Sequence, residues 1–299
     1  MVTRYQNSAG LQTFADHIRF SSIKSMHASK GGHVGGVLSL CELMAVLYGK
    51  VMNYDPENPG WEDRDKVVLS KGHCGPVLYS ALALSGFFPE EELMTLNRNG
   101  GHLPSHCDMN KTTGVDMTTG SLGQGASTAA GMALGKKMLH RGGNIFLILG
   151  DGELNEGQVW EMAMFAKQHN LDNLVTYVDW NHQQLDGYTD GICDLGDIEA
   201  KFKAFGFETT TVNGHDVDAI EAATMNAITS KSTLPKCIVL DTVKGKGWSV
   251  TEGKTGIHHI VITDEMMTEA EKEFAQTLCA QQESAQDACV QQESAGKEL

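Results

Sequence analysis

Apolar positions recur at helical spacing from Leu11 through Phe14 and Ile18 to Ile23 and Met26, which predicts an opening helix over 11–26. A glycine-rich turn, Gly31-Gly-His-Val-Gly-Gly36, follows, and a second periodic stretch predicts a helix over 38–52. Val67-Val-Leu69 reads as a short buried strand with a helix over 76–84 behind it. Residues 99–125 are rich in Gly, Thr and His and lack periodicity. A stretch that long without regular structure inside a compact domain is usually functional. From residue 126 the pattern is regular: helix 126–139, strand 145–149, helix 159–168, strand 174–178, strand 209–212, helix 217–230 and strand 237–240. Ile145-Phe-Leu-Ile-Leu149 is apolar without alternation, as in a strand covered on both faces. Strands alternating with helices predict an α/β fold, a mostly parallel sheet with helices on both faces and right-handed crossovers.

No linker stands out before about residue 263, so 1–265 are expected to form one domain and 266–299 a helical or disordered tail. That tail carries a polar near repeat, CAQQESA at 279–285 and CVQQESA at 289–295. The formal charge of −15 disfavours nucleic acid and anionic membrane as partners. Nothing approaches 18 consecutive apolar residues, and the polar start suggests no secretory signal. The 7 cysteines are scattered without CxxC spacing, which suits reduced thiols in the cytoplasm better than disulfides or structural zinc.

The strongest chemical signal is Gly150-Asp-Gly-Glu153, directly after strand 145–149. Asn181 stands 30 residues beyond Asp151, just past strand 174–178. One helix lies between, so both side chains emerge at the carboxyl edge of neighbouring parallel strands, where open α/β sheets bind ligands. Gly150 and Gly152 allow a sharp turn and a close approach to phosphate. Carboxylate and amide oxygens suit a hard cation such as magnesium, with positions left for substrate phosphates. Gly-Asp-Gly alone is more often a turn or a helix cap. The combination with strand, helix, strand and asparagine favours the metal site.

Residues 150–187, GDGELNEGQVWEMAMFAKQHNLDNLVTYVDWNHQQLDG, resemble the thiamine-diphosphate fingerprint of transketolases, GDG followed about 30 residues on by Asn. The resemblance implies a thiamine-diphosphate-binding fold. It implies magnesium, with calcium or manganese as substitutes, held by Asp151, Asn181 and the carbonyl of Gln183. It places Gly150, Gly152, Glu153 and Asn181 around the cofactor, and Glu156 at an interface between protomers that links two cofactors. Gly120-Ser-Leu-Gly-Gln-Gly125 would bring Gly120 and Leu122 against the ring system. Thr242-Val-Lys-Gly-Lys-Gly247 also matches a family segment, although Lys244 and Lys246 can simply be solvated.

Of 12 histidines, four lie in Gly- or Pro-rich contexts that resemble family loops: His33 in GGHVGG, His73 in SKGHCG, His106 in LPSHCD and His258 in GIHHIV. Histidine suits proton exchange with sugar hydroxyls near neutral pH. By resemblance His33 and His258 contact reacting oxygens, His106 the donor's terminal hydroxyl and His73 the diphosphate. A small residue usually follows the histidine at 258, and His259 stands there here, so the role falls to 258 or 259. His17, His27, His140, His169, His182 and His215 read as surface or hydrogen-bonded loop residues.

The resemblance covers about residues 11–265. The rest is too short for the pyrimidine-binding domain, which supplies the glutamate that activates the cofactor. The expectation is therefore the diphosphate-binding subunit of a split transketolase. It would move a two-carbon ketol unit between sugars, with sugar phosphates as the expected substrates. It would be active only with a pyrimidine-binding partner in an α2β2 assembly. The alternatives are a deoxyxylulose-phosphate-synthase-like enzyme, a non-catalytic cofactor-binding paralogue and a 2-oxoacid dehydrogenase α-type chain.

Overall fold

The computed structural model describes residues 5–275. Helix α1 (Ser8–Ala28) starts where the Asn7 side chain accepts the Gly10 N–H at 2.8 Å, and it buries Leu11, Phe14 and Ile18. The expected 38–52 helix begins earlier and is broken into α2 (Val34–Leu38), α3 (Cys41–Val46) and a π turn (Leu47–Val51). The break falls at Ser39, whose hydroxyl turns inward to Asp179 at 2.6 Å. The glycines of α2 let its backbone lie against the site: a Cβ on Gly35 would stand 2.8 Å from the Lys244 side chain.

Strand β1 (Lys66–Leu69) leads through a 3-10 turn (Gly72–Cys74) into α4 (Gly75–Leu84), and the glycine-rich stretch runs without strand or α-helix to α5 (Gln124–Met138). Then come β2 (Ile145–Gly150), a 3-10 turn (Gly152–Asn155), α6 (Gly157–Gln168) and β3 (Leu174–Trp180). The one-turn α7 (Thr189–Ile192) and α8 (Ile198–Ala204) were not anticipated, being too short to show a period. They precede β4 (Glu208–Asn213), α9 (Val217–Thr229) and β5 (Lys236–Asp241). Residues 264–275 are helical, and the 279–295 near repeat lies outside the described residues.

All strand pairs are parallel, in the order β1-β2-β3-β5-β4. The period of two along each strand divides the core. Phe146, Ile148, Val175, Tyr177, Ile238 and Leu240 face the layer of α1, α3, α4 and α9. Ile145, Leu147, Leu149, Leu174, Val178 and Val239 face α5, α6 and α8. The expected continuous apolar run is thus covered on both faces. β4 is different: it forms the sheet edge, and its threonine-rich sequence leaves four of its six residues exposed. Among the described residues no helix is long and apolar enough to cross a membrane.

Candidate active site

The register that pairs Gly150 with Asp179 sets the GDG turn beside the end of β3. A cavity of about 310 Å³ opens at this carboxyl edge. Twelve of the sequence-predicted site residues line it: Gly150, Asp151, Gly152, Glu153, Asn181, Gln183, His33, His73, His106, His258, Gly120 and Leu122. Glu156 does not. It is exposed outside the cavity beside Gly123, whose added Cβ would stand 3.1 Å from the Glu156 Cβ.

Asp151 is buried. One oxygen accepts the Gly152 N–H at 2.7 Å, while Oδ2 is buried without a hydrogen-bond partner. Burial, and then the neighbouring Asp179 charge, push its carboxyl up to about 6. A buried carboxylate oxygen without a donor beside it is open to a cation. Asn181 donates Nδ2 to Asp179 at 3.0 Å, which fixes the amide; its Oδ1 accepts the Gln183 N–H at 3.3 Å and keeps a second lone pair. The Gln183 carbonyl accepts Lys244 Nζ at 3.1 Å, and a carbonyl oxygen has a second lone pair. These three oxygen donors fit a hard divalent ion. Among the described residues there is no group of three His, Cys, Asp or Glu that would offer a different metal centre.

Glu153 has another job. Its carboxylate accepts the Ser70 hydroxyl, the Gly123 N–H at 2.8 Å and the Gly150 N–H at 3.0 Å. It therefore ties the GDG turn, β1 and the glycine loop before α5 into one rim of the cavity. Gly123, at φ +82, is where that loop needs glycine.

The histidines converge. The His33 ring lies 5.0 Å from His73, 5.8 Å from His106, 5.3 Å from His258 and 4.9 Å from His259 between centroids. Burial, reinforced by the neighbouring imidazoles, lowers His33 to about 4. Burial and then Lys244 lower His258 to about 4, and burial and then Lys71 lower His73 to about 2. These three rings are neutral at pH 7, each able to donate one hydrogen bond and accept another. His258 lines the cavity; His259 is exposed and does not.

Lys71, Lys244, Gly36, Gln184 and Leu185 also line the cavity and were missed in the sequence. Lys71 forms a fully buried pair with Asp179. Asp179 also accepts Ser39, Asn181 and, at 2.5 Å, the Thr242 hydroxyl. Burial alone would raise this carboxyl, but Lys71 and the hydroxyl donors outweigh it and hold it below the usual range. Lys244 is buried rather than solvated, donating to the carbonyls of Gln183 and Gln184 at 3.1 and 2.8 Å, and burial lowers its pKa. Lys246, by contrast, reaches outward to Glu252 at 2.6 Å. The available signal was position: Lys71 follows β1 directly, and Asp179 ends β3.

A family model described as "Transketolase, thiamine diphosphate binding domain" matches residues 11–292. A 6-deoxy-6-sulfo-D-fructose transketolase subunit of Clostridium sp. (strain MSTE9) is 51% identical over 269 residues, 89% of this chain and 98% of that protein. One of the subunits of the Phocaeicola vulgatus apulose-4-phosphate transketolase is 35% identical, covering 86% of this chain and 90% of that protein. The crystal structure of Campylobacter jejuni transketolase superposes with a TM-score of 0.84 at 32% identity, covering 90% of this chain but only 43% of that one. The chain therefore spans nearly all of the subunits it matches and less than half of the solved transketolase.

Proposed function

The chain belongs to the transketolase family and carries its thiamine-diphosphate-binding domain; on that premise we propose that it is the diphosphate-holding subunit of a two-chain transketolase. It would act with a pyrimidine-binding chain, in an α2β2 assembly, to move a two-carbon ketol unit from a ketose to an aldose. This family assignment sets aside the oxoacid dehydrogenase and deoxyxylulose-phosphate synthase alternatives.

The observation that carries the reading is the orphaned Asp151 Oδ2, buried in a cavity that also holds Asn181, two lysines and four histidines. Asp151, Asn181 Oδ1 and the Gln183 carbonyl would hold magnesium, with calcium or manganese as substitutes. Lys71, Lys244 and His73 surround the space for the diphosphate, and Gly120 and Leu122 border the space for the rings. When bound, the cofactor supplies the nucleophilic carbon and the electron sink for carbon–carbon cleavage. The rest falls to protein groups. Neutral His33 and His258 each present a lone pair and an N–H to sugar hydroxyls, so they can take up and return a proton without a net charge in the resting site. His106, at the mouth, is placed to meet the far end of the donor. Glu156, outside the cavity, is available to an interface with a second copy.

The 51% identity to a sulfo-sugar transketolase chain, against 35% and 36% to apulose-phosphate ones, favours 6-deoxy-6-sulfofructose over a sugar phosphate as donor. The test is reconstitution with a pyrimidine-binding chain, magnesium and thiamine diphosphate, followed by a panel of sulfonated, phosphorylated and branched ketoses. Two-carbon transfer that requires both chains is expected, with the sulfonated donor preferred. Turnover by this chain alone, proved free of a second protein by mass spectrometry, would refute the split-enzyme reading.

A further inference from the structure

A buried charged network outside the cavity is left unexplained by this chemistry. His215, in the turn between β4 and α9, accepts the Val243 N–H on Nε2 at 2.8 Å. Its proton therefore sits on Nδ1, which faces Glu42 Oε2 at 3.2 Å. The other Glu42 oxygen accepts Arg19 Nη2. Arg19 also donates to Asp16, and its Nε donates to the Lys246 carbonyl at 3.0 Å. One network thus grips segment 243–247 at both ends, by the amide of Val243 and the carbonyl of Lys246. Between the grips the Gly245 N–H donates to Gly35 at 2.9 Å. The backbone is pressed onto the guanidinium: a Cβ on Gly247, at φ +79, would lie 2.5 Å from Arg19 Nε.

We propose, resting on the reading of the cavity as a diphosphate site, that His215 is a positioning residue which, with Glu42 and Arg19, clamps segment 243–247 and so sets Lys244 in the cavity wall. A buried ion cluster is a weak source of stability compared with apolar packing of the same volume. Here it provides directed bonds to two backbone groups. Both flank the residue whose ammonium must reach two particular carbonyls through a flexible four-carbon stem. Burial would raise the Glu42 carboxyl, yet Arg19 and then His215 outweigh it and draw it down to about 2, which keeps Glu42 an acceptor for both partners.

The experiment uses the full chain and two variants. An asparagine amide reaches roughly where Nδ1 lies and a glutamine amide roughly where Nε2 lies. His215→Asn therefore keeps a donor for Glu42 and removes the acceptor for Val243, whereas His215→Gln keeps that acceptor. Amide exchange of 243–247 and calorimetric affinity for thiamine diphosphate with magnesium are measured in the wild type, both variants and each combined with Lys244→Met. H215N should exchange at 243–247 about tenfold faster, with the sheet unaffected, and bind about tenfold more weakly, the worth of one hydrogen bond. H215Q, which keeps the Val243 acceptor but gives up the bond to Glu42, should exchange more slowly than H215N and bind more tightly, between H215N and wild type. In the Lys244→Met background, H215N should add nothing to the loss in affinity.

Unchanged exchange in H215N, a loss spread over the whole chain, or an equal affinity loss with and without Lys244 would each overturn the proposal. Failure of the wild-type chain to bind the cofactor, alone and with its partner, would instead overturn the diphosphate reading. The exchange measurement then still decides whether His215 holds the segment.

Discussion

Asp151→Asn separates the cost of the site from its use. In the chain without metal or cofactor, Asp151 is 3% exposed and its carboxyl is pushed up to about 6 from an ordinary 3.8. A shift of about two units corresponds to roughly 3 kcal/mol of native-state destabilisation once the group is ionised. The sign follows from the raised native value. The native state holds its proton more tightly than the unfolded chain, so this contribution is neutral below pH 3.8, grows into a penalty between 3.8 and about 6, and is complete above that. Asparagine keeps the acceptor for the Gly152 N–H and removes the charge. It leaves an unpartnered buried amide in place of Oδ2, which costs about 1–3 kcal/mol. At low pH most of that cost stands alone, whereas at high pH the removed charge offsets it. Because about half of the penalty has already accrued at pH 5, the metal-free variant should stand lower against wild type at pH 5 than at pH 8, by about 1.4 kcal/mol. Magnesium and thiamine diphosphate at 100 times Kd should stabilise the wild type by about 2.7 kcal/mol, or about 4–5 °C, and leave the variant unmoved. Scanning calorimetry across pH, with and without ligands, reads both effects. A variant less stable by the same margin at pH 5 and pH 8, or one that keeps the ligand shift, would refute the reasoning.

His258→Ala should lower two-carbon transfer by about 10²-fold or more, as expected for a proton-transfer group, while His259→Ala stays near wild type; steady-state rates of the reconstituted pair decide between them. The rings of His33, His73 and His258 should remain neutral at pH 5.5, visible by nitrogen-15 NMR as imidazoles that do not titrate between pH 8 and 5.5. Asp179→Asn should leave Lys71 buried without its counter-charge and cost about 3–5 kcal/mol, read by denaturant unfolding; a loss under about 1 kcal/mol would mean the pair is not the hub of the site.

Much of the fold was legible in the chain. The uninterrupted apolar run at 145–149 and the alternation of strands and helices specified a parallel, doubly covered sheet, because burial on both faces leaves no polar position in a strand. Asp151 and Asn181 were legible because each follows its strand by a fixed, short step. A single intervening helix leaves neighbouring parallel pairing as the simplest connection. The histidine loops were legible only through family resemblance, since a glycine-rich loop has no period to read.

Lys71, Asp179 and Lys244 were not legible. A lysine in sequence looks the same whether it is solvated or buried against a carboxylate 108 residues away, and only tertiary packing decides. The same holds for His215, which reads as an ordinary loop histidine until Glu42 and Val243 are brought to its two nitrogens. Local sequence fixes what depends on neighbours along the chain, namely strand burial, turn chemistry and the emergence of a side chain at a strand end. The protonation states of His33, His73 and His258, the orphaned oxygen of Asp151 and the grip on Lys244 depend on desolvation and on charges from distant segments. Those exist only once the chain has folded around them.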